Sequence, residues 1–113
     1  MKNENNLVYL YGFSGQKQTK LKNFLAIIKK QVNLGADIKV ILIHDGVIGI
    51  SKKGEIPNNL MELINLPLSV YAIIPDLKAR GISPETIHDK IQLINYEELV
   101  ELLAETPKIV SWL

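Results

Sequence analysis

The sequence predicts an α/β domain with a mainly parallel sheet, and three observations predict it. The length, 113 residues, suits one domain and leaves no room for two. Short β-prone runs alternate with helical patterns along the whole chain, as in strands joined by crossover helices. One of those runs, residues 38–43, is apolar almost without interruption, as in a strand covered on both faces. The expected architecture is a single three-layer domain over residues 1–113, with a four- to five-stranded sheet flanked by helices in flavodoxin-like order.

Each element has its own signal. Leu7-Val8-Tyr9-Leu10-Tyr11 is a β-prone run ended by Gly12, so it reads as the first strand. Residues 17–33 place Leu21, Phe24, Leu25, Ile28 and Val32 at three- and four-residue spacing, one face of an amphipathic helix that Gly35 stops. The run 38–43 is the second strand, followed by a turn-rich stretch with Gly46, Gly49, Gly54 and Pro57. A short helical pattern covers 59–65, and Pro67 ends it. Residues 68–74 make the third strand. Pro75 to Gly81 reads as one turn of helix with Asp76 as its cap and Gly81 as its stop. Ser83-Pro84-Glu85 repeats the device, a cap followed by proline at the first helical position. Ile91–Ile94 is the fourth strand. Asn95 with Glu98 forms a capping box for a helix running to about Glu105, with Leu99, Leu102 and Leu103 as its inner face. Pro107 breaks that helix, and residues 109–113 form a short last strand.

Composition excludes several kinds of chemistry. Without cysteine there is no disulfide, no thiolate-bound zinc or iron–sulfur cluster, and no thiol nucleophile. Only two histidines, His44 and His88, are available to ligate a metal, so no metal and no cofactor is expected. The apolar stretches are too short to span a bilayer, and the polar start, residues 1–6, carries no apolar signal core. A soluble, cytoplasmic protein with no membrane partner is the expectation. Charge is divided unevenly: residues 1–53 hold nine lysines and three acids, a net +6, and residues 54–113 hold four bases and nine acids, a net −5. The lysine-rich helix is a solvated face or a patch for an anionic partner. No aromatic residues are interleaved with the lysines on its surface, so direct nucleic-acid binding is not expected. Complementary basic and acidic sides also suit subunit packing.

In such folds ligands bind at the carboxyl ends of the strands, and three segments qualify. Ser14 and Gly15, ahead of the first long helix, are a candidate anion-binding start, though they lack the spacing of a phosphate loop. His44, Asp45 and Gly46 end the second strand; they read either as a loop carrying a histidine base or as a structural turn. Asp76, with Lys78 and Arg80 nearby, follows the third strand. His88-Asp89 sits in a surface turn with no role assigned. No catalytic residue is assigned: the sequence contains no carboxylate pair, metal set or nucleophile elbow. Trp112, the only tryptophan, is either packed on its own domain or anchors an interface. If the last strand is an edge strand, its open backbone invites association.

His44-Asp45-Gly46-Val47, Val70-Tyr71-Ala72, Pro75-Asp76-Leu77-Lys78-Ala79-Arg80-Gly81, Ile94-Asn95-Tyr96 and Ser111-Trp112-Leu113 together resemble the DsrH/TusB family of DsrE/DsrF/DsrH-like sulfur-relay proteins. The likeness runs from about Ile38 onward, roughly two-thirds of the chain. It implies a DsrE-like α/β subunit of a heterohexamer built from DsrE/TusD-like, DsrF/TusC-like and DsrH/TusB-like chains. In that family the DsrE/TusD type carries a persulfide on a cysteine and passes sulfur to a DsrC/TusE-like acceptor. The pathway is 2-thiolation of the tRNA wobble uridine or sulfur oxidation. Some DsrH-type members carry a cysteine in the first helical region, where this chain has Lys, Asn, Thr and apolar residues. Without a thiol a persulfide cannot form, so the resemblance implies a non-catalytic subunit. Trp112, Tyr96, Asp76 and Arg80 are its candidate interface residues. Two other readings stand beside it: a stand-alone homo-oligomer binding a small anion or nucleotide at Ser14-Gly15, and an enzyme using His44 as base.

Overall fold

The computed structural model describes residues 6–113; residues 1–5 of the polar start lie outside the described residues. Five strands form one sheet: β1 (Asn6–Tyr11), β2 (Asp37–Leu42), β3 (Ser69–Ile73), β4 (Ile91–Ile94) and β5 (Lys108–Trp112). All four pairings are parallel and the order is β4-β3-β2-β1-β5. The α/β class and flanked parallel sheet are as predicted. The order differs from the flavodoxin arrangement, in which β1 lies between β2 and β3. Here the first four strands follow one another across the sheet, and β5 returns to the far side of β1.

That return explains the two layers of helices. Crossovers between parallel strands are right-handed, so reversing the direction of travel moves the connecting helix to the other face. Helices α1 (Gln18–Asn33) and α2 (Asn58–Ile64) join strands that advance across the sheet, and they share one face. There Leu21, Phe24, Leu25 and Ile28 pack with Leu60 and Leu63 over Tyr9, Tyr11, Val40, Leu42 and Ala72. The short α3 (Ile74–Ala79) contributes Leu77 to the same cluster. The last helix, α4 (Tyr96–Glu105), lies on the opposite face, where Leu99, Leu102 and Leu103 pack on Val8, Ile41, Tyr71, Ile73 and Ile94. The buried run Val40, Ile41, Leu42 feeds both clusters, as a strand covered on both faces must.

Most local signals act as read. Gly35 follows α1 with φ +90°, a left-handed conformation that glycine adopts at little cost. Asn95 accepts from the Glu98 N–H at 2.9 Å while Glu98 accepts from the Asn95 N–H at 3.2 Å, a complete capping box. Three expectations need correcting. The third strand stops at Ile73, because Ile74 and Pro75 already begin α3. Asp76 then falls inside the helix and does not cap it; Ile73 holds the cap position with no side-chain bond. Ser83 likewise makes no cap bond ahead of its single turn at Pro84–Thr86.

Aromatic side chains fill the margin between β1, β5 and α1. The Tyr11 ring lies 4.4 Å from Phe24 and 6.4 Å from Trp112, and Phe24 meets Trp112 at 5.2 Å, all between ring centroids. The Tyr11 hydroxyl is buried with no hydrogen-bond partner among the described residues, and burial pushes its pKa up to about 12. The folded chain therefore keeps this proton to about pH 12, whereas an unfolded chain releases it near 10. The stability linked to it is intact below pH 10 and declines as pH climbs from about 10 to 12. Tyr11→Phe keeps the ring and removes the orphan hydroxyl, so it should raise stability at pH 7 by about 1 kcal/mol. It should also flatten the loss above pH 10. Urea midpoints at pH 7 and across pH 9–11.5 test both; a destabilised Phe variant would mean the hydroxyl is satisfied.

Candidate functional site

The carboxyl ends of all five strands open on one side of the sheet, because every strand runs the same way. The loop after β2 is built first. Ile43 N–H donates to Tyr11 O at 3.0 Å, and the chain then turns sharply through His44–Val47, with His44 at φ +51°. A histidine in the left-handed region is strained, so something must hold it there. The holder is Asp76, 9% exposed: its Oδ2 accepts the His44 N–H at 2.7 Å. Gly46 completes the turn, its N–H donating to Ile43 O at 2.8 Å. It packs so closely on β1 that a Cβ would stand 2.2 Å from Tyr11 O.

Arg80, at the end of α3, ties the two loops together. Its Nε donates to Asp45 Oδ1 at 3.0 Å and its Nη1 donates to Asp76 O at 3.1 Å; Nη1 also lies 3.8 Å from Asp76 Oδ1. A strained turn, a buried carboxylate and a bridging guanidinium thus form one connected network. The charge of Asp76 is compensated by Arg80 and by the backbone dipole it accepts, as a buried carboxylate requires. Chemically the network fixes a loop and presents the His44 ring and the Asp45–Arg80 pair at the open edge.

Five of the sequence-predicted residues, His44, Asp45, Gly46, Asp76 and Arg80, are therefore brought together. The others stand apart. Gly15 N–H is already spent on Ile48 O at 2.9 Å, and Ser14 Oγ accepts from Gln16 N–H at 3.1 Å. The donors left free at this helix start are those of its first turn. Tyr96 opens α4 and is exposed. Trp112 is half-buried against Phe24 and Tyr11, and its carbonyl accepts from Gly12 N–H at 2.8 Å. The imidazole of His44 has no hydrogen-bond partner to orient it as a base among the described residues. No group of three or more His, Asp or Glu converges on a metal geometry among them either. His88-Asp89 is a surface turn in which Lys52 pairs with Asp89 at 2.8 Å and lowers its pKa. Sequence reasoning missed Tyr11, although Tyr9, Tyr11 and Phe13 alternate at the spacing that places all three on one face of a strand.

Fold and site together define a small parallel α/β domain whose carboxyl edge is locked into shape by its own charges. The family model described as DsrH like protein matches residues 14–109. Protein TusB of Pectobacterium atrosepticum is 37% identical over 73 residues, covering 65% of this chain and 73% of that protein. Protein TusB of Escherichia coli K12 is 32% identical over 94 residues, covering 81% of this chain and 90% of that protein. The chain belongs to the DsrH family. Two solved structures share its fold. One is the ychN protein of Escherichia coli, with TM-score 0.70 and 19% identity over 99% of this chain and 100% of that one. The other is a protein of unknown function from Methanobacterium thermoautotrophicum, with TM-score 0.73 and 14% identity over 95% and 98%. No helix among the described residues is long and apolar enough to cross a membrane.

Proposed function

We infer that this chain is a non-catalytic subunit of a sulfur-relay assembly that serves 2-thiolation of the tRNA wobble uridine. One observation carries the reading: a member of a family that moves sulfur on thiols has no cysteine. Sulfur handed along as a persulfide needs a thiolate at each station, so the cargo must ride on partner chains. A DsrE/TusD-like subunit is the carrier in this reading, beside a DsrF/TusC-like subunit, with a DsrC/TusE-like protein as acceptor. The relatives called TusB favour the tRNA pathway over sulfur oxidation. The rigid His44–Arg80 edge supplies a polar docking surface of fixed shape, and the site's chemistry stops at presentation.

Tagged protein expressed in its native host should bring down cysteine-bearing α/β chains. Deleting the gene should lower 2-thiouridine nucleosides in bulk tRNA, and restoring it should return them. Purification without such partners, together with unchanged tRNA thiolation, would sink the proposal.

A further inference from the structure

The two faces of the sheet are unequally covered. Five strands about 4.8 Å apart make a sheet roughly 19 Å across, and a single helix with its side chains covers roughly 10 Å of it. Among the described residues α4 is the one helix on its face. Its apolar side packs on Val8, Ile41 and Ile73. On its β4 side the helix and the sheet leave an open groove of about 200 Å³ over Tyr71 and Gln92.

Glu98, Glu101 and Glu105 line that groove from the helix, with Leu102 and Ile94 as its apolar lining. Steps of three and four residues string the three carboxylates along roughly 10 Å of the helix axis. No base neutralises them. The α4 sequence holds four glutamates and no lysine or arginine, and the ion pairs among the described residues all lie elsewhere. Lys90, just ahead of β4, donates to Asn65 Oδ1 at 2.8 Å. Like charges at these spacings destabilise a helix, and Glu105 at its C-terminal end also opposes the macrodipole. A cation bound along this flank would relieve both.

Tyr71 supplies an independent observation. It is 9% exposed, its ring packed with Ile41, Ile73 and Ile94, and it lines the groove. Its hydroxyl has no hydrogen-bond partner among the described residues. Gln92, its register partner on β4, stands beside it. A phenol oxygen and an amide carbonyl on the sheet side can both accept from an N–H donor.

We propose that this groove binds a linear polyamine. The ammonium groups meet Glu98, Glu101 and Glu105, the methylenes lie on Leu102 and Ile94, and one N–H donates to the Tyr71 hydroxyl. The arrangement selects this chemistry over other cations. A divalent metal needs ligands that converge on one point, and no three acidic groups do so among the described residues. A lone ammonium would meet one exposed carboxylate, a pair worth little in water. A chain of ammonium groups spaced by methylenes matches both the row of charges and the apolar lining between them. This inference does not depend on the sulfur-relay reading.

Isothermal titration of the full chain with spermidine, at low ionic strength where exposed charges are least screened, tests it. One saturable site should appear, about tenfold or more tighter than for Mg²⁺ or butylamine. Glu101→Gln combined with Glu105→Gln should weaken spermidine binding about tenfold. That double variant should also melt higher than the wild type without ligand, and should lose the upward shift that spermidine gives the wild type. Tyr71→Phe should weaken binding severalfold with an unchanged far-ultraviolet spectrum. Glu55→Gln combined with Glu85→Gln removes the same charge outside the groove and should bind as the wild type does. Backbone amide shifts on adding spermidine should gather at Tyr71, Gln92 and residues 98–105. Overturning results are no saturable heat, equal competition by Mg²⁺, or binding that survives loss of both glutamates or of the Tyr71 hydroxyl. Amide shifts spread over the other acidic residues would equally overturn the site.

Discussion

Gly46→Ala should cost the fold about 3 kcal/mol or more, a large share of the 5–15 kcal/mol typical of a domain. The added Cβ would stand 2.2 Å from Tyr11 O and 3.1 Å from Tyr11 C, both main-chain atoms of β1. A flexible side chain could swing aside, but β1 is held in ladders by β2 on one side and β5 on the other. The turn itself must move, and with it the strained His44 and its bond to Asp76. Gly54→Ala is the matched control: nothing lies within 4 Å of its Cβ, so its effect should stay within about 0.5 kcal/mol. Urea unfolding of the two variants side by side decides the point. Equal midpoints would refute the close approach.

Asp76→Ala should cost about 2–3 kcal/mol, because it strips a buried acceptor from His44 N–H and a counter-charge from Arg80. For a chain of this size that is a melting temperature lower by about 10 °C. Asp76→Asn keeps an oxygen that can accept from His44 and loses only the charge, so its loss should be roughly half as large. Amide exchange adds a readout that a simple helix cap would not move. The His44 amide should exchange much faster in the Ala variant and remain protected in the Asn variant. Unchanged protection at His44 in Asp76→Ala would show that the carboxylate does not hold the turn.

Asp76 also shows what a sequence discloses. Pro75-Asp76 reads locally as a helix start, and a helix does start there, but the carboxylate bonds 32 residues back along the chain. Local pattern located the element and could not find the partner. The strands were legible because β-branched runs such as Val40-Ile41 bury on both faces whatever their neighbours are. Their order was not legible. Nothing in Ile109-Val110-Ser111 tells the reader that it lies beside β1, since that choice depends on crossover handedness summed over the chain. His44, Asp45, Gly46, Asp76 and Arg80 were each visible as polar residues at strand ends. Their union into one network needed α3 to fold back over the β2 turn. The orphan hydroxyl of Tyr11 was invisible for a plainer reason: tyrosine in a strand usually finds a partner.

The position of β5 also bears on the order of assembly. Strands β1 to β4 meet their neighbours about thirty residues or fewer away, whereas Tyr11 and Trp112 pair across about a hundred. Closing that longer loop costs only about 1 kcal/mol more than closing the β1–β2 loop, because the entropy grows with the logarithm of length. In time the difference is larger, since non-local pairings form late. Four strands can collect in sequence while the outer side of β1 waits, unpaired, for the final segment. The edge that ends the sheet is therefore the last to be put in place, and pulse-labelled amide exchange during refolding should find β5 protected after β1, β2 and β3.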